Sequence, residues 1–202
     1  MLLDWGADVT ARGGGDYGDS LQGASEGGFE ELVRLLLAHG AGVDAKGGLH
    51  HTALQAAAAE GHTEVAVLLL EWGADINAEG GMYDTALFAA IFQERDETAA
   101  LLISKGARLE TRFKTALQVA ASEGHVDMLR LLIVNGADVN AQKGDFGTAL
   151  QAASRKGHSD IVTILLENGA KIDSQSGFHG TALQAAAQWG HDEVVGSRGI
   201  LR

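Results

Sequence analysis

The chain has 202 residues, no cysteine, no proline and a formal net charge of −12. Without cysteine there can be no disulfide, thiolate nucleophile or Cys-ligated metal, and the acidic balance disfavours nucleic acid as a partner. No run approaches the roughly 18 apolar residues of a membrane span, and Met1-Leu2-Leu3-Asp4-Trp5-Gly6 lacks the basic and apolar stretches of a secretory signal, so a soluble, cytoplasmic chain with no membrane partner is expected.

Hydrophobic residues make up 46% of the chain but aromatics only 5%, so a core must be built from Ala, Leu, Val and Ile. Ala and Leu favour helix, which predicts an all-α protein. The 28 glycines recur at fixed intervals, as turn punctuation would. Charge is uneven: residues 1–100 carry 4 Lys/Arg against 17 Asp/Glu, and residues 101–202 carry 11 against 10. An acidic half beside a balanced one suggests a protein partner with a basic region. The alternative is a solvated acidic face that serves solubility alone.

In chain order, the segment Asp19-Ser20-Leu21-Gln22 recurs as Thr-Ala-Leu-Gln at Thr52, Thr115, Thr148 and Thr181, and as Thr85-Ala86-Leu87-Phe88. The successive spacings are 33, 33, 30, 33 and 33 residues. This period predicts repeats over 19–51, 52–84, 85–114, 115–147 and 148–180, with a repeat tail over 1–18 and a partial repeat over 181–202. Within one repeat, Thr52 is an N-cap, Ala53 to Glu60 a short helix, and Gly61-His62 a break. Thr63 to Trp72 then form a second helix with Val65, Leu68 and Leu69 on one face, and Gly73 ends it in the left-handed region. A polar turn over 79–84 leads to the next Thr. Neither helix is long enough to stand alone, so each must stack on its neighbours.

Thr-Ala-Leu-Gln-x-Ala-Ala, then Gly-His, then Leu-Leu-Leu-x-x-Gly-Ala-Asp-Ile-Asn-Ala resembles the ankyrin repeat, with Ala53 in place of the usual proline and Gln55 in place of the usual histidine. The glutamine form is similar to ankyrin tracts of fungal signalling proteins that carry a nucleotide-binding domain. The resemblance implies an all-α solenoid of stacked helix-turn-helix units with short hairpin-like fingers and one concave groove. It also implies a protein–protein interaction module that is not an enzyme and holds no cofactor. The alternative is a regulatory or sensing segment of a multidomain enzyme or nucleotide-binding signalling protein whose chemistry lies outside this chain. Met1 to Ala7 match the end of a second helix, and Ser197, Arg198 and Gly199 fall where leucines belong. The chain is therefore expected to be a fragment of a longer array or a truncated gene model.

Candidate chemical sites reduce to structure. His62, His125, His158 and His191 occupy one repeat position, and equivalent positions in a helical stack lie about 10 Å apart, too far to converge on a metal. Gly23-Ala24-Ser25-Glu26-Gly27 matches a hydrolase nucleophile pattern but lies inside a helix with no preceding strand. Arg12-Gly13-Gly14-Gly15 lacks the Gly-Lys-Ser/Thr of a phosphate loop.

The candidate partner-binding residues lie on fingers and groove. Two residues before each repeat start stand Tyr17, His50, Tyr83, Phe113, Phe146 and His179, a ring in every repeat. Either these rings pack on one another and stiffen the turns, or they form a ladder of anchors. The groove is expected at the seventh and eighth residues after each start, where the residues vary: Glu26/Gly27, Ala59/Glu60, Phe92/Gln93, Ser122/Glu123, Arg155/Lys156 and Gln188/Trp189. Phe92 and Trp189 are expected as exposed aromatics and Arg155/Lys156 as a basic step. A monomer is expected. The third repeat departs most, with Glu94-Arg95 for Gly-His, Thr98 for a core valine, Phe88 for glutamine, and a basic finger, including Arg112, three residues short. It is either a specificity element or drift, and the lost turn is expected to make it the weak link of the stack.

Overall fold

A computed structural model describes residues 1–11, 18–178 and 180–196. Among these residues the regular structure is helical, with only isolated bridges in place of strands. The chain divides into two compact units, residues 1–108 and 109–202.

In the first unit a single 3-10 turn at Leu3–Trp5 precedes three helix pairs. That turn closes at Gly6, whose φ is +84° and whose N–H returns to the Leu3 carbonyl, so no α-helix forms there. The pairs are α1 (Ser20–Glu26) with α2 (Glu30–Ala38), α3 (Ala53–Glu60) with α4 (Thr63–Glu71), and α5 (Ala86–Phe92) with α6 (Asp96–Ser104). The first helices α1, α3 and α5 stack on one another, and α2, α4 and α6 form a second row. Each first helix opens on a side-chain cap. Asp19 Oδ1 accepts the Gln22 N–H at 2.9 Å, and Thr52 and Thr85 accept the N–H groups of Gln55 and Phe88. Capping satisfies amides that a seven- or eight-residue helix would otherwise leave orphaned.

Ala53 through Ala59 are all buried, which explains the composition. Alanine lets helix axes approach closely, and the larger Leu54, Leu69 and Leu87 are buried with them. The second helices stop where Gly73 adopts φ +86° and Ala74 donates back to the Leu69 carbonyl at 3.0 Å.

Between pairs the chain makes a finger closed by one bridge, Gly47 to His51 and Gly80 to Asp84. Glutamine ties each finger to the helix before it. Gln22 Nε2 donates to the carbonyls of Ala45 and His51, and Gln55 Nε2 to those of Ala78 and Asp84. Phe88 at the same place has no donor to offer and is fully buried.

The second unit repeats the plan with α7 (Ala116–Glu123) and α8 (Val126–Val134), α9 (Ala149–Lys156) and α10 (Ser159–Glu167), and α11 (Ala182–Gln188) and the four-residue α12 (Asp192–Val195). Thr115, Thr148 and Thr181 cap the first helices, and each capping glutamine (Gln118, Gln151, Gln184) accepts from its cap residue's own N–H. Gln118 Nε2 donates to the Lys143 and Gly147 carbonyls, and Gln151 Nε2 to those of Ser174, Ser176 and Gly180. Adjacent fingers touch so closely that a Cβ on Gly144, at φ +52°, would collide with the Phe113 carbonyl. Ser197, Arg198 and Gly199 lie outside the described residues.

The histidines of the Gly-His position are staples between neighbouring repeats. His62 bonds the Glu26 carbonyl at 2.9 Å, His158 that of Ser122 at 3.0 Å and His191 that of Arg155 at 2.8 Å, each through Nε2 across 36 residues. In the third repeat Arg95 Nε donates to the Ala59 carbonyl at 3.1 Å over the same 36 residues. Thr98, only 1% exposed, pairs its hydroxyl with that of Thr63 at 2.8 Å. Two parts of the exchange have their bonds: the arginine takes the histidine's place, and the buried hydroxyl has its partner. What remains unusual is Glu94, at φ +56° where Gly28, Gly61, Gly124, Gly157 and Gly190 take the same left-handed place in the other repeats.

Candidate functional site

The rings of the fingers fall into local clusters with the ends of the first helices. In the first unit His50 and Tyr83, on successive fingers, stack with centroids 6.3 Å apart and planes inclined by 19°. Tyr83 in turn meets Phe92 at the end of α5, centroids 5.7 Å apart and tilted by 36°. Gln93 Nε2 donates to the Tyr83 hydroxyl at 2.9 Å, a contact with no signal in the sequence pattern. All three rings are half-buried, so Phe92 is not the freely exposed aromatic that its place in the repeat suggested. Its packing against Tyr83 is the cause. His50 Nδ1 is buried and makes no hydrogen bond.

In the second unit the same two positions meet, with a cation in place of one ring. The Arg155 guanidinium, at the end of α9, lies 5.7 Å from the Phe146 centroid on the finger before it. It also lies 5.5 Å from the Trp189 ring at the end of α11. Trp189 is 53% exposed and Phe146 39%. Lys156 projects beside this cluster and is exposed. On the finger preceding α7, Arg112 covers the Phe113 ring at 5.6 Å, and that ring remains 64% exposed. Tyr17 and His179 lie outside the described residues.

The rule that the seventh and eighth residues both read outward needs correcting. Ala59 and Ser122 at the seventh place are buried, while Glu60 and Glu123 at the eighth are exposed. A small residue at the seventh place lets the next first helix close over it; Phe92, Arg155 and Gln188 are too large to be enclosed. Side chains at the eighth place are exposed at Glu60, Glu123, Lys156 and Trp189 and half-buried at Gln93, and those at the seventh reach the surface only where the residue is bulky.

Gly23 to Gly27 lie in α1 and its cap, and Arg12 to Gly15 lie outside the described residues. Ser25 is wholly buried and its hydroxyl donates to the Leu21 carbonyl at 2.7 Å, so it has no path to a substrate. Among the described residues no three His, Asp or Glu side chains converge as metal ligands. Nor is any described helix long and apolar enough to cross a membrane. Asp8, fully exposed, holds a lowered pKa because the Thr10 hydroxyl and N–H both donate to it.

Short helix pairs with capped first helices, stapled at a constant repeat distance, define a helical repeat scaffold. The family description "Ankyrin repeats (3 copies)" matches residues 2–80, and "Ankyrin repeats (many copies)" matches residues 87–133 and 117–166. The chain belongs to the ankyrin-repeat family. Among solved structures it is similar to the human ASB11 ankyrin repeat domain, with 27% identity and a TM-score of 0.78 over 88% of this chain and 80% of that one. No curated protein matches it. Ankyrin repeats generally serve as protein–protein interaction modules and are typically non-enzymatic.

Proposed function

We propose that this chain binds a partner protein through its finger tips and the adjoining ends of its first helices. The observation that carries this reading is the pairing of finger ring with helix-end side chain, Tyr83 with Phe92 and Phe146 with Arg155. The pair recurs in position but changes in chemistry, and aromatic and arginine side chains half-open to solvent are those that dominate interface energies. His50 and Trp189 extend the two clusters, and Arg112, Phe113 and Lys156 supply further exposed contacts. Tyr17 and His179 belong to the same proposed ladder by their place in the repeat.

Residues 1–108 hold 17 Asp/Glu against 6 Lys/Arg, which supports a basic region on the partner facing that unit. The chain acts as a monomeric docking arm in the cytoplasm, with no cofactor and no chemistry of its own. A photo-crosslinking amino acid placed at Phe92, Phe146 or, as a control, Val134 tests the surface, since Val134 is exposed at the end of a second helix. Captured proteins should cross-link from the first two positions and not from Val134; the reverse pattern would place the interface on the second helices.

A further inference from the structure

We infer that the Phe146–Arg155–Trp189 cluster is a carboxylate clamp that takes an acidic segment of the partner protein. The inference rests on the proposed reading of this surface as a protein-binding one and names the chemistry of its second half.

A guanidinium is planar and carries its five N–H donors around its rim. With its carbon 5.7 Å from one ring centre and 5.5 Å from the other, Arg155 lies over both Phe146 and Trp189. Its N–H donors are what it has left to offer a ligand. Among the described residues neither Arg155 nor Lys156 forms an ion pair with a carboxylate, in contrast to Arg34 with Glu30 and Lys143 with Glu110. The two ring contacts therefore hold a charged group at a half-buried surface position before any partner arrives. Such pre-organisation favours bidentate capture of a carboxylate, whose two oxygens match two parallel N–H groups.

The backbone is fixed as well. The Arg155 carbonyl accepts the His191 Nε2 bond at 2.8 Å, so the end of α9 cannot swing away from the next repeat. Lys156 adds a second, exposed cation one residue on. Residues 109–202 are nearly charge-balanced, with 9 Lys/Arg against 10 Asp/Glu, whereas residues 1–108 hold 6 against 17 and would repel the same ligand. The acidic segment is thus directed to the second unit. Trp189 and Phe146 offer apolar flanks, so aliphatic or aromatic residues beside the partner's acid fit the same place.

The test is fluorescence anisotropy with the full chain and three labelled peptides: alternating Glu and Gly, alternating Gln and Gly, and alternating Lys and Gly. A labelled single-stranded oligonucleotide is the fourth probe. The Glu peptide should bind more tightly than the other two peptides and than the oligonucleotide at equal salt. Arg155→Lys keeps the charge but loses the planar fork, and should weaken the Glu peptide about tenfold, with Lys156→Ala weakening it only a few-fold. Thermal midpoints of both variants, measured alongside, show that the fold is kept. Equal binding of the Glu and Gln peptides, an Arg155→Lys protein that binds like wild type, or an oligonucleotide that binds as tightly as the Glu peptide would each overturn the clamp. Failure here with cross-linking still confined to Phe92 and Phe146 leaves the protein-binding reading standing and removes only the acidic ligand.

Discussion

Arg95 Nε donates to the Ala59 carbonyl at 3.1 Å, making in the third repeat the bond that His62, His158 and His191 make elsewhere. One side chain of different size and charge thus fills the same role at the same 36-residue separation. The staple is what repeats, and the residue type is free to vary as long as a nitrogen reaches the preceding helix end. The exchange of Gly-His for Glu94-Arg95 is consequently a substitution of parts and not a loss of the joint.

Replacing Arg95 distinguishes these descriptions. Arg95→His should be within about 0.5 kcal/mol of wild type, because the family's usual donor is restored. Arg95→Ala should cost about 1–2 kcal/mol, because a carbonyl at the buried Ala59 loses its partner. Urea denaturation of the two variants measures the difference. Equal stabilities would mean that the bond contributes nothing net.

Glu94 is the residual strain in that repeat. At φ +56° an ordinary side chain sits where glycine is at ease, and removing the Cβ should stabilise by about 1 kcal/mol. Glu94→Gly should therefore raise the thermal midpoint. Adding Arg95→His and Thr98→Val should contribute little more, because the bonds of Arg95 and of Thr98 with Thr63 are already made. A triple variant far above Glu94→Gly would show that those bonds are poor replacements.

The helices, caps and breaks were legible in the sequence because they are local. Thr52 and Gln55 are three residues apart, and a hydroxyl, an amide and a glycine at fixed offsets specify the ends of a helix without reference to the rest of the chain. The ring positions were legible as a series for the same reason of period. What they touch was not. Tyr83 meets Phe92 and Gln93 through the path of a finger whose course depends on packing, and Arg155 meets Trp189 across a repeat boundary. The burial of Ala59 and Ser122 was also hidden, since it depends on how near the next helix comes. Arg95 was misread because its role is defined by a carbonyl 36 residues away.

Gln118 is expected to be among the most sensitive polar positions. It is 2% exposed, accepts the Thr115 N–H at 2.7 Å, and donates to the Lys143 and Gly147 carbonyls at 3.0 and 2.6 Å. Gln118→Ala leaves three backbone groups without that partner and should cost about 2–4 kcal/mol. Gln184→Ala is the control, because Gln184 is exposed and its effect should be about 1 kcal/mol or less. Hydrogen exchange should accelerate at Lys143, whose N–H donates to the Gly147 carbonyl, in the Gln118 variant ahead of global unfolding. If protection at that finger is unchanged, the glutamine caps its helix and does nothing for the finger.

Phe92 and Lys156 should separate stability from recognition. Phe92 is half-buried against Tyr83, so Phe92→Ala removes a ring pair worth about 0.5–1.5 kcal/mol besides the area it covers. A total loss of about 2 kcal/mol is expected, which makes that variant an unsafe probe of binding when used alone. Phe92→Leu keeps most of the volume and should cost about 1 kcal/mol. Lys156 is exposed, so Lys156→Ala should leave the unfolding midpoint unchanged to within about 0.5 kcal/mol. Arg155→Ala should fall between the two, near 1 kcal/mol, because two ring contacts are lost from a partly exposed site. Denaturation of the four variants gives the order Phe92→Ala first, Lys156→Ala last. If Arg155→Ala proves as neutral as Lys156→Ala, the rings do not hold the guanidinium in solution, and the clamp has no pre-formed fork to offer.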